Sequence, residues 1–363
     1  MPIGATVFLQ GRTHRAGAQT CLARLLRHKE MRAWSPVLVC SAPGWLTREC
    51  ERENIPVICE PFPKSRSLLG RWFGNARFVD RVVAKLHAAS VGEIGIVQAN
   101  DHIEALLGLG LAGKLRARSA VFLRSPGMTG RDYVKYRCGE YDFIAAVGEE
   151  LATRARGWDS TRPVELIHDG LEAAEFGEAK SKPQEAPANV LVIGSPLDWK
   201  GWADLTGALY LLEKNDALPP MTFDFTGNRP DAATNDLNLN RLRHHRCNFL
   251  GRVEAFRDLV RGYDLVINPS RMESFGMAAL EVLAAGVPLL SSRTGVIEQV
   301  LYRNEMLFPP HQPRALADSL KNVIQRWPDI DLGVPGAQEN IRRLFSIDNT
   351  ANRVSEAYRR LLG

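Results

Sequence analysis

Two glutamates, Glu273 and Glu281, flank a turn and a helix start in NPSRMESFGMAALEVLAAGVP, residues 268–288. The β-branched run LVIN (265–268) predicts a short strand, PSRMESFG a turn, and MAALEVLAA a helix stopped by Gly286, with Pro288 beyond. A strand that runs into a helix N-terminus gathers backbone N–H groups, here around Ser274, Phe275, Gly276 and Met277, at the positive end of the helix dipole. That is an anion site, and Gly276 lets a ligand come close to the backbone. A phosphate would sit there without a metal. At about 1.5 Å of rise per residue, the two carboxylates would lie roughly 12 Å apart along the axis. Acid and base carboxylates of glycoside hydrolysis stand about 5 to 9.5 Å apart across one bond, so this spacing does not suit that job. It suits a sugar at one end of a ligand and a ribose at the other.

With NPS, SFG and GVP in register, the stretch resembles the E-x7-E segment of retaining glycosyltransferases of the GT-B fold and family-4 type, the glycosyl transferases group 1. The resemblance implies that Glu273 touches the donor sugar and Glu281 binds the ribose hydroxyls. NVLVIGSPLDWKGWADL (189–205) is similar to the family's strand, G-R loop and K-G element, which hold the diphosphate; Gly194, Lys200 and Gly201 match it. Ser195 stands where the family carries an arginine. A charge-assisted phosphate contact contributes about 1.5 to 3 kcal/mol, so donor binding calls for a replacement, with Arg271, Arg229 and Arg293 the candidates. Lys200 and the 274–277 amides would stabilise the charge that builds on the departing diphosphate. FTGNRP (225–230), with Gly227, resembles the glycine turn beside the nucleotide. NFLGRV (248–253) resembles the base-pocket strand, which makes Arg252 and Val253 binding candidates with no base identity attached.

The first half resembles the family more weakly. In LQGRTHRAGAQTCLARLL, Gly17 matches a glycine whose backbone approaches the donor phosphates. In AVFLRSPG, Arg124 occupies the place of a histidine near the reacting sugar; an arginine stays protonated, so it would position a hydroxyl or an anion rather than act as a base. His102 and His14 are nearby alternatives, read first as structural or exposed residues. IHDG puts Asp169-Gly170 where the family has Asn-Gly, a change expected to alter only the turn. No nucleophile stands out, so the resemblance implies front-face attack assisted by the departing phosphate.

The elements that must position these groups follow a parallel α/β rhythm, twice. Apolar strands at ATVFLQ, SPVLVCS, IPVICE, EIGIVQA, SAVFLRS and DFIAAVG alternate with helical stretches; after the polar, proline-bearing EAKSKPQEAPAN, the series resumes with NVLVIGS, MTFDFTG, CNFLGRV, LVINPS and VPLLSS. We expect an α/β chain of the GT-B type: two Rossmann-like, doubly wound domains facing a cleft. The expected parts are an acceptor-binding domain over 1–170, a linker over 171–189 and a nucleotide-sugar-binding domain over 190–345. A final helix over 346–363, capped at Ser346 or Asp348, would cross back to the first domain. At 363 residues, each domain can bury a core of its own.

Charge is uneven. Residues 1–140 hold 21 Lys and Arg against 11 Asp and Glu, whereas the rest hold 25 against 30. The basic half points to an acidic partner. The segment 64–85, with Lys64, Arg66, Arg71, Arg77, Arg81 and Lys85 among Leu68, Leu69, Trp72, Phe73 and Phe78, has the composition of either a contact with an anionic membrane surface or a basic helix packed on its own domain. No nucleic-acid-binding module is present. Six scattered cysteines form no C-x-x-C pair, and His244, His245 and Cys247 read as an exposed basic turn, so no metal, cofactor or disulfide framework is assigned. Neither a membrane span nor a secretory signal is read, and a cytoplasmic location, peripheral on the inner face of the membrane, fits. The reading is thus a metal-independent, retaining hexosyltransferase that uses a nucleoside diphosphate sugar and a glycan or lipid-linked acceptor, as in cell-envelope polysaccharide or lipopolysaccharide assembly. The alternatives are a catalytically silent sugar-nucleotide binding protein, or an epimerase or hydrolase on the same fold.

Overall fold

The computed structural model describes residues 4–63, 68–159, 161–231 and 236–363. It divides into two units, residues 1–170 with 345–363, and residues 171–344. In the first unit the strands are β1 (Ala5–Gln10), β2 (Pro36–Cys40), β3 (Val57–Cys59), β4 (Ile94–Ala99), β5 (Arg118–Leu123), β6 (Phe143–Ala146) and β7 (Val164–Leu166). They form one sheet in the order β3-β2-β1-β4-β5-β6-β7, and every pairing is parallel. The apolar runs of the sequence are strands because helices cover both faces; Val7, Phe8 and Leu9 in β1 are all fully buried, which only a strand covered on both faces achieves. The sequence reading missed β7, a three-residue strand with one fully buried position.

The second unit repeats the plan with β8 (Asn189–Val192), β9 (Thr222–Phe225), β10 (Arg246–Phe249), β11 (Val266–Asn268), β12 (Leu289–Ser292) and β13 (Leu307–Phe308). Their order is β10-β9-β8-β11-β12-β13, again parallel. In each sheet the winding reverses once, between β1 and β4 and between β8 and β11. Chain segments leave such a pair in opposite directions, so a crevice opens beyond the carboxyl ends of the two strands.

The segment 171–189, which reads from the sequence as a linker, is laced onto the second unit instead. Gly177 N and Lys180 N donate to the carbonyls of Ala284 and Gly286, Lys180 Nζ lies 2.6 Å from Asp264, and Lys182 Nζ donates to the carbonyls of Pro328 and Ile330. The last helix, Ile347–Leu362, belongs to the first unit. Ser346 caps it through Asn349 N, Trp34 Nε1 donates to Ser355 at 2.9 Å, and Tyr358 meets Gln98.

The basic segment after β3 has a divided character. Lys64 and Arg66, with the side chains of Leu68, Leu69, Arg71 and Trp72, lie outside the described residues. In the helix Leu68–Ala88, Phe78, Val79, Val82 and Leu86 enter the core of the first unit, with Phe78 edge-on to Phe62. Arg81 and Lys85 both bind Glu60, so two of the cations read as membrane-facing have a carboxylate of their own. Phe73 and Arg77 are exposed.

Candidate functional site

The second unit's winding reversal gathers most of the residues singled out by sequence. β11 ends at Asn268, and the chain turns through Pro269 and Ser270. Glu273 Oε1 receives two partners there, Lys200 Nζ at 2.6 Å and Ser270 Oγ at 2.8 Å. Ser270, fully buried, also lies 2.9 Å from Asn268 Oδ1; Asn268 in turn donates to Ser291, and Ser292 donates to the Ser270 carbonyl. Glu273 therefore rests on a polar shelf built from the ends of β11 and β12. It keeps 15 % of its side chain exposed and Lys200 keeps 22 %, so both face outward from the shelf.

Lys200 comes from the loop after β8, and Arg271 fixes that loop to the Glu273 turn. Arg271 Nε and Nη2 grip the two carboxylate oxygens of Asp204 at 2.7 and 2.6 Å, Nη1 reaches Asp198 at 2.7 Å, and its backbone N donates to Trp199 O at 2.8 Å. The hydrogen bonds to Asp204, then those to Asp198, hold the guanidinium more firmly charged than usual. Gly201 closes the join: its φ is +67°, and a Cβ there would collide with the Pro269 carbonyl. The sequence reading offered Arg271 as a spare phosphate clamp. Its donors are committed to Asp198 and Asp204, so it is the rivet between two loops. Arg293, another spare, is engaged by Glu298 and Asn304, and Arg229 is exposed on the turn after β9.

The turn then delivers the helix Met277–Ala284, which starts with no side-chain cap. Gly276 before it has φ +95°, a conformation that L side chains rarely adopt, and a Cβ there would meet only Glu273 carbons, at 4.0 Å. An anion could approach this backbone. Gly295 supports the loop from below, since a Cβ would strike the Phe275 carbonyl, which accepts from Val296 N at 3.0 Å. Helical rise separates the two glutamates over less of the chain than the sequence predicts: only Met277 onward is helical, so the rise per residue applies to the last four steps, about 6 Å. Ser274 and Glu281 are partly buried on this turn and helix, and Phe275 and Met277 are buried.

Two further glycine turns flank this region. Gly194 (φ +137°) and Gly227 (φ +149°) both pack over buried Trp202, where a Cβ would meet indole atoms at 2.9 and 3.1 Å. Trp202 also stands edge-on to Phe225. Trp202 is not among the residues singled out by sequence; the signal for it is its position directly after the Lys200-Gly201 pair. Gly194 N donates to Thr226, and Gly251 N to the Gly227 carbonyl, so the β8, β9 and β10 turns are neighbours. Ser195 is partly buried in the first, while Arg252 is exposed and Val253 half-buried in the last. His245, expected in an exposed turn, is buried: its Nδ1 accepts from Met221 N, while Glu213 receives the backbone N–H groups of Arg243, His244 and His245.

In the first unit the residues at the strand ends face one another. Arg124 Nε donates to the Asn100 carbonyl at 2.9 Å, and Nη1 pairs with Asp169. Burial opposes the charge on Arg124, but Asp169 outweighs it and moves the guanidinium pKa upward. Asp169, expected to alter only a turn, is thus the counter-ion of the other departure from the family pattern. Gly170 beside it has no room for a Cβ, which would collide with the Ser346 carbonyl. Asp101 accepts from His102 Nδ1 at 2.9 Å, from Ser125 Oγ at 2.6 Å and from Arg124 N at 3.1 Å. Burial would raise its pKa, yet the hydrogen bonds from His102 and Ser125 bring it below the usual range. Glu104 receives Gly11 N at 3.0 Å, but its other oxygen has no hydrogen-bond partner among the described residues; burial, then Asp101, push its pKa up to about 8. Gly17 opens the helix Gly17–Arg27 with free space where a Cβ would be, and His14 is exposed. Among the described residues, no group of three or more His, Cys, Asp or Glu is placed to hold a metal ion, and no helix is long and apolar enough to cross a membrane.

Parallel sheets of this kind with these turns define the class: the chain has the GT-B fold, and residues 187–326 match the family described as glycosyl transferases group 1. The Glu273 turn, the Lys200 loop and both flanking glycine turns lie inside that match. Among particular proteins, the chain is 25% identical over 203 residues to a glycogen synthase of Mycobacterium tuberculosis, a match that covers 54% of this chain and 48% of that protein. It is 38% identical over 98 residues to a D-inositol 3-phosphate glycosyltransferase of a Nocardioides species, covering 26% and 21% of the two chains. The crystal structure of Anabaena HepE in complex with UDP and glucose is similar over 98% of this chain and 100% of that one, with a TM-score of 0.78 and 18% identity. This chain spans about half the length of the glycogen synthase it matches.

Proposed function

We propose that this protein is a retaining glycosyltransferase that moves a sugar from a nucleoside diphosphate sugar to a glycan or lipid-linked acceptor, without a required metal. The observation that carries the proposal is the meeting of Lys200 and Glu273 at 2.6 Å beside the uncapped start of the helix Met277–Ala284. A cation, a helix dipole and a glycine of positive φ suit a diphosphate; a partly exposed carboxylate held on a buried serine suits sugar hydroxyls. In this reading a bound diphosphate gives Lys200 a second anionic partner, and the charge that grows on the leaving group strengthens that contact in the transition state. Glu273 orients the sugar and Glu281 the ribose. Gly194, Ser195, Gly227, Arg252 and Val253 line the nucleotide.

That HepE was crystallised with UDP and glucose supports a nucleotide-sugar donor here. The basic balance of residues 1–140 supports an acceptor that is anionic or held at an anionic membrane, as in envelope polysaccharide or lipopolysaccharide assembly in the cytoplasm. The test is release of nucleoside diphosphate from a panel of sugar nucleotides, with and without membrane or glycan extract, for wild type and Glu273→Ala. Extract-dependent release that the mutant loses is the expected result. Nucleotide binding with no release on any acceptor would replace the proposal with a silent sugar-nucleotide binding protein, and release independent of acceptor would point to a hydrolase.

A further inference from the structure

Two cysteines that play no part in the donor site stand side by side in the first unit. Cys40 ends β2 and Cys59 ends β3, and the parallel register makes them direct cross-strand partners. Their sulfurs are 3.6 Å apart. Neighbouring strands run about 4.7 to 4.9 Å apart, within the Cα separation of about 4.4 to 6.8 Å that disulfides span. The geometry points to Cys40 and Cys59 as a modification site: a thiol pair that hydrogen peroxide converts to a reversible disulfide.

Exposure sets the order of events. β3 is the edge strand of its sheet, and Cys59 is partly exposed, whereas Cys40 is fully buried. Burial, then the charge of Cys59, raise the Cys40 thiol pKa, which slows its direct reaction with an oxidant. Cys59 therefore meets peroxide first. Its sulfur attacks one peroxide oxygen, the O–O bond breaks and one water leaves, giving a sulfenic acid. The Cys40 sulfur then attacks the Cys59 sulfur; the S–O bond breaks, and the hydroxyl leaves with the Cys40 proton as a second water. Two thiols are oxidised by two electrons, and one peroxide is reduced to two waters. A bond on an exposed edge is of the readily reduced kind, so a dithiol reductant reopens it. Once closed, it would staple β3 to the sheet interior beside Glu60, the residue that anchors Arg81 and Lys85.

The other cysteines serve as internal controls. Cys21, Cys50 and Cys138 are buried, and Cys247 is partly exposed on β10. The full chain is treated with hydrogen peroxide, its remaining thiols are alkylated in denaturant, and unreduced peptides are analysed by mass spectrometry. The expected result is the loss of two of the six alkylatable thiols, a peptide joining Cys40 to Cys59 that is lighter by two hydrogens, and full recovery with dithiothreitol. In Cys59→Ser, and equally in Cys59→Ala, Cys40 stays alkylatable. The proposal is overturned if Cys59 reaches sulfinic or sulfonic acid while Cys40 is still alkylated, if Cys59 joins any other cysteine, or if all six thiols survive the treatment.

Discussion

The carboxyl ends of the two sheets carry similar residue types and treat them in opposite ways. At the reversal between β8 and β11, Lys200 and Glu273 pair while each keeps part of its side chain exposed, at 22 % and 15 %. At the carboxyl end of the first sheet, Arg124 and Asp169 pair with 6 % and 8 % exposed, with Glu104 buried and Asp101 partly buried nearby. A pair that water still reaches can be parted by a ligand that offers a better partner. A sealed pair resists parting, because separation leaves a charge uncompensated in a poor dielectric. The first arrangement is suited to binding, the second to holding strand ends in place.

Breaking the sealed pair has the largest expected effect. Arg124→Ala should lower the unfolding free energy by about 3 to 5 kcal/mol in denaturant titration, because Asp169 is left buried without its counter-ion. Arg124→Met combined with Asp169→Leu should recover most of that loss; an Arg124→Ala variant as stable as wild type would show that the pair does not hold the fold. Next comes the proton on Glu104. Its pKa in the folded chain is raised from an ordinary 4.5 to about 8, so its contribution to stability is complete below the ordinary value and is lost as pH rises toward 8. The unfolding free energy of wild type should fall across that window, and Glu104→Gln should flatten the fall. Identical pH profiles for the two proteins would remove Glu104 from the account.

The exposed pair should answer in activity rather than stability. Glu273→Ala should cut diphosphate release by about a hundredfold, the scale of a mispositioned reacting group, with little change in melting temperature. Lys200→Ala removes one charge-assisted phosphate contact of about 1.5 to 3 kcal/mol, roughly ten- to a hundredfold in kcat/KM. Unchanged kcat/KM for Lys200→Ala would return Lys200 to the role of a surface lysine that merely neutralises Glu273.

Legibility in the sequence followed distance along the chain. Strand, glycine turn and helix start sit within a dozen residues around Glu273, so short-range rules of propensity and capping reach them all. Arg271 and its bidentate partner Asp204 are 67 residues apart, and Arg124 and Asp169 are 45 apart. No local pattern marks either pairing, so the sequence leaves Arg271 as one of three candidate replacements for the missing phosphate arginine and Asp169 as a turn residue. The short strands β7 and β13 escaped for a related reason: three or two residues carry too little alternation to register as strands, and their pairing with a longer neighbour defines them.

Backbone preferences and apolar spacing within a few residues suffice for the α/β rhythm, its two rounds, and the strand-turn-helix that sets Glu273 beside Gly276. That Lys200 rests on Glu273, that Arg271 rivets their loops, and that Arg124 and Asp169 compensate one another came from the folded chain alone. Those outcomes depend on which strand ends become neighbours when each sheet winds outward from its middle, and strand order is set by the packing of the whole unit.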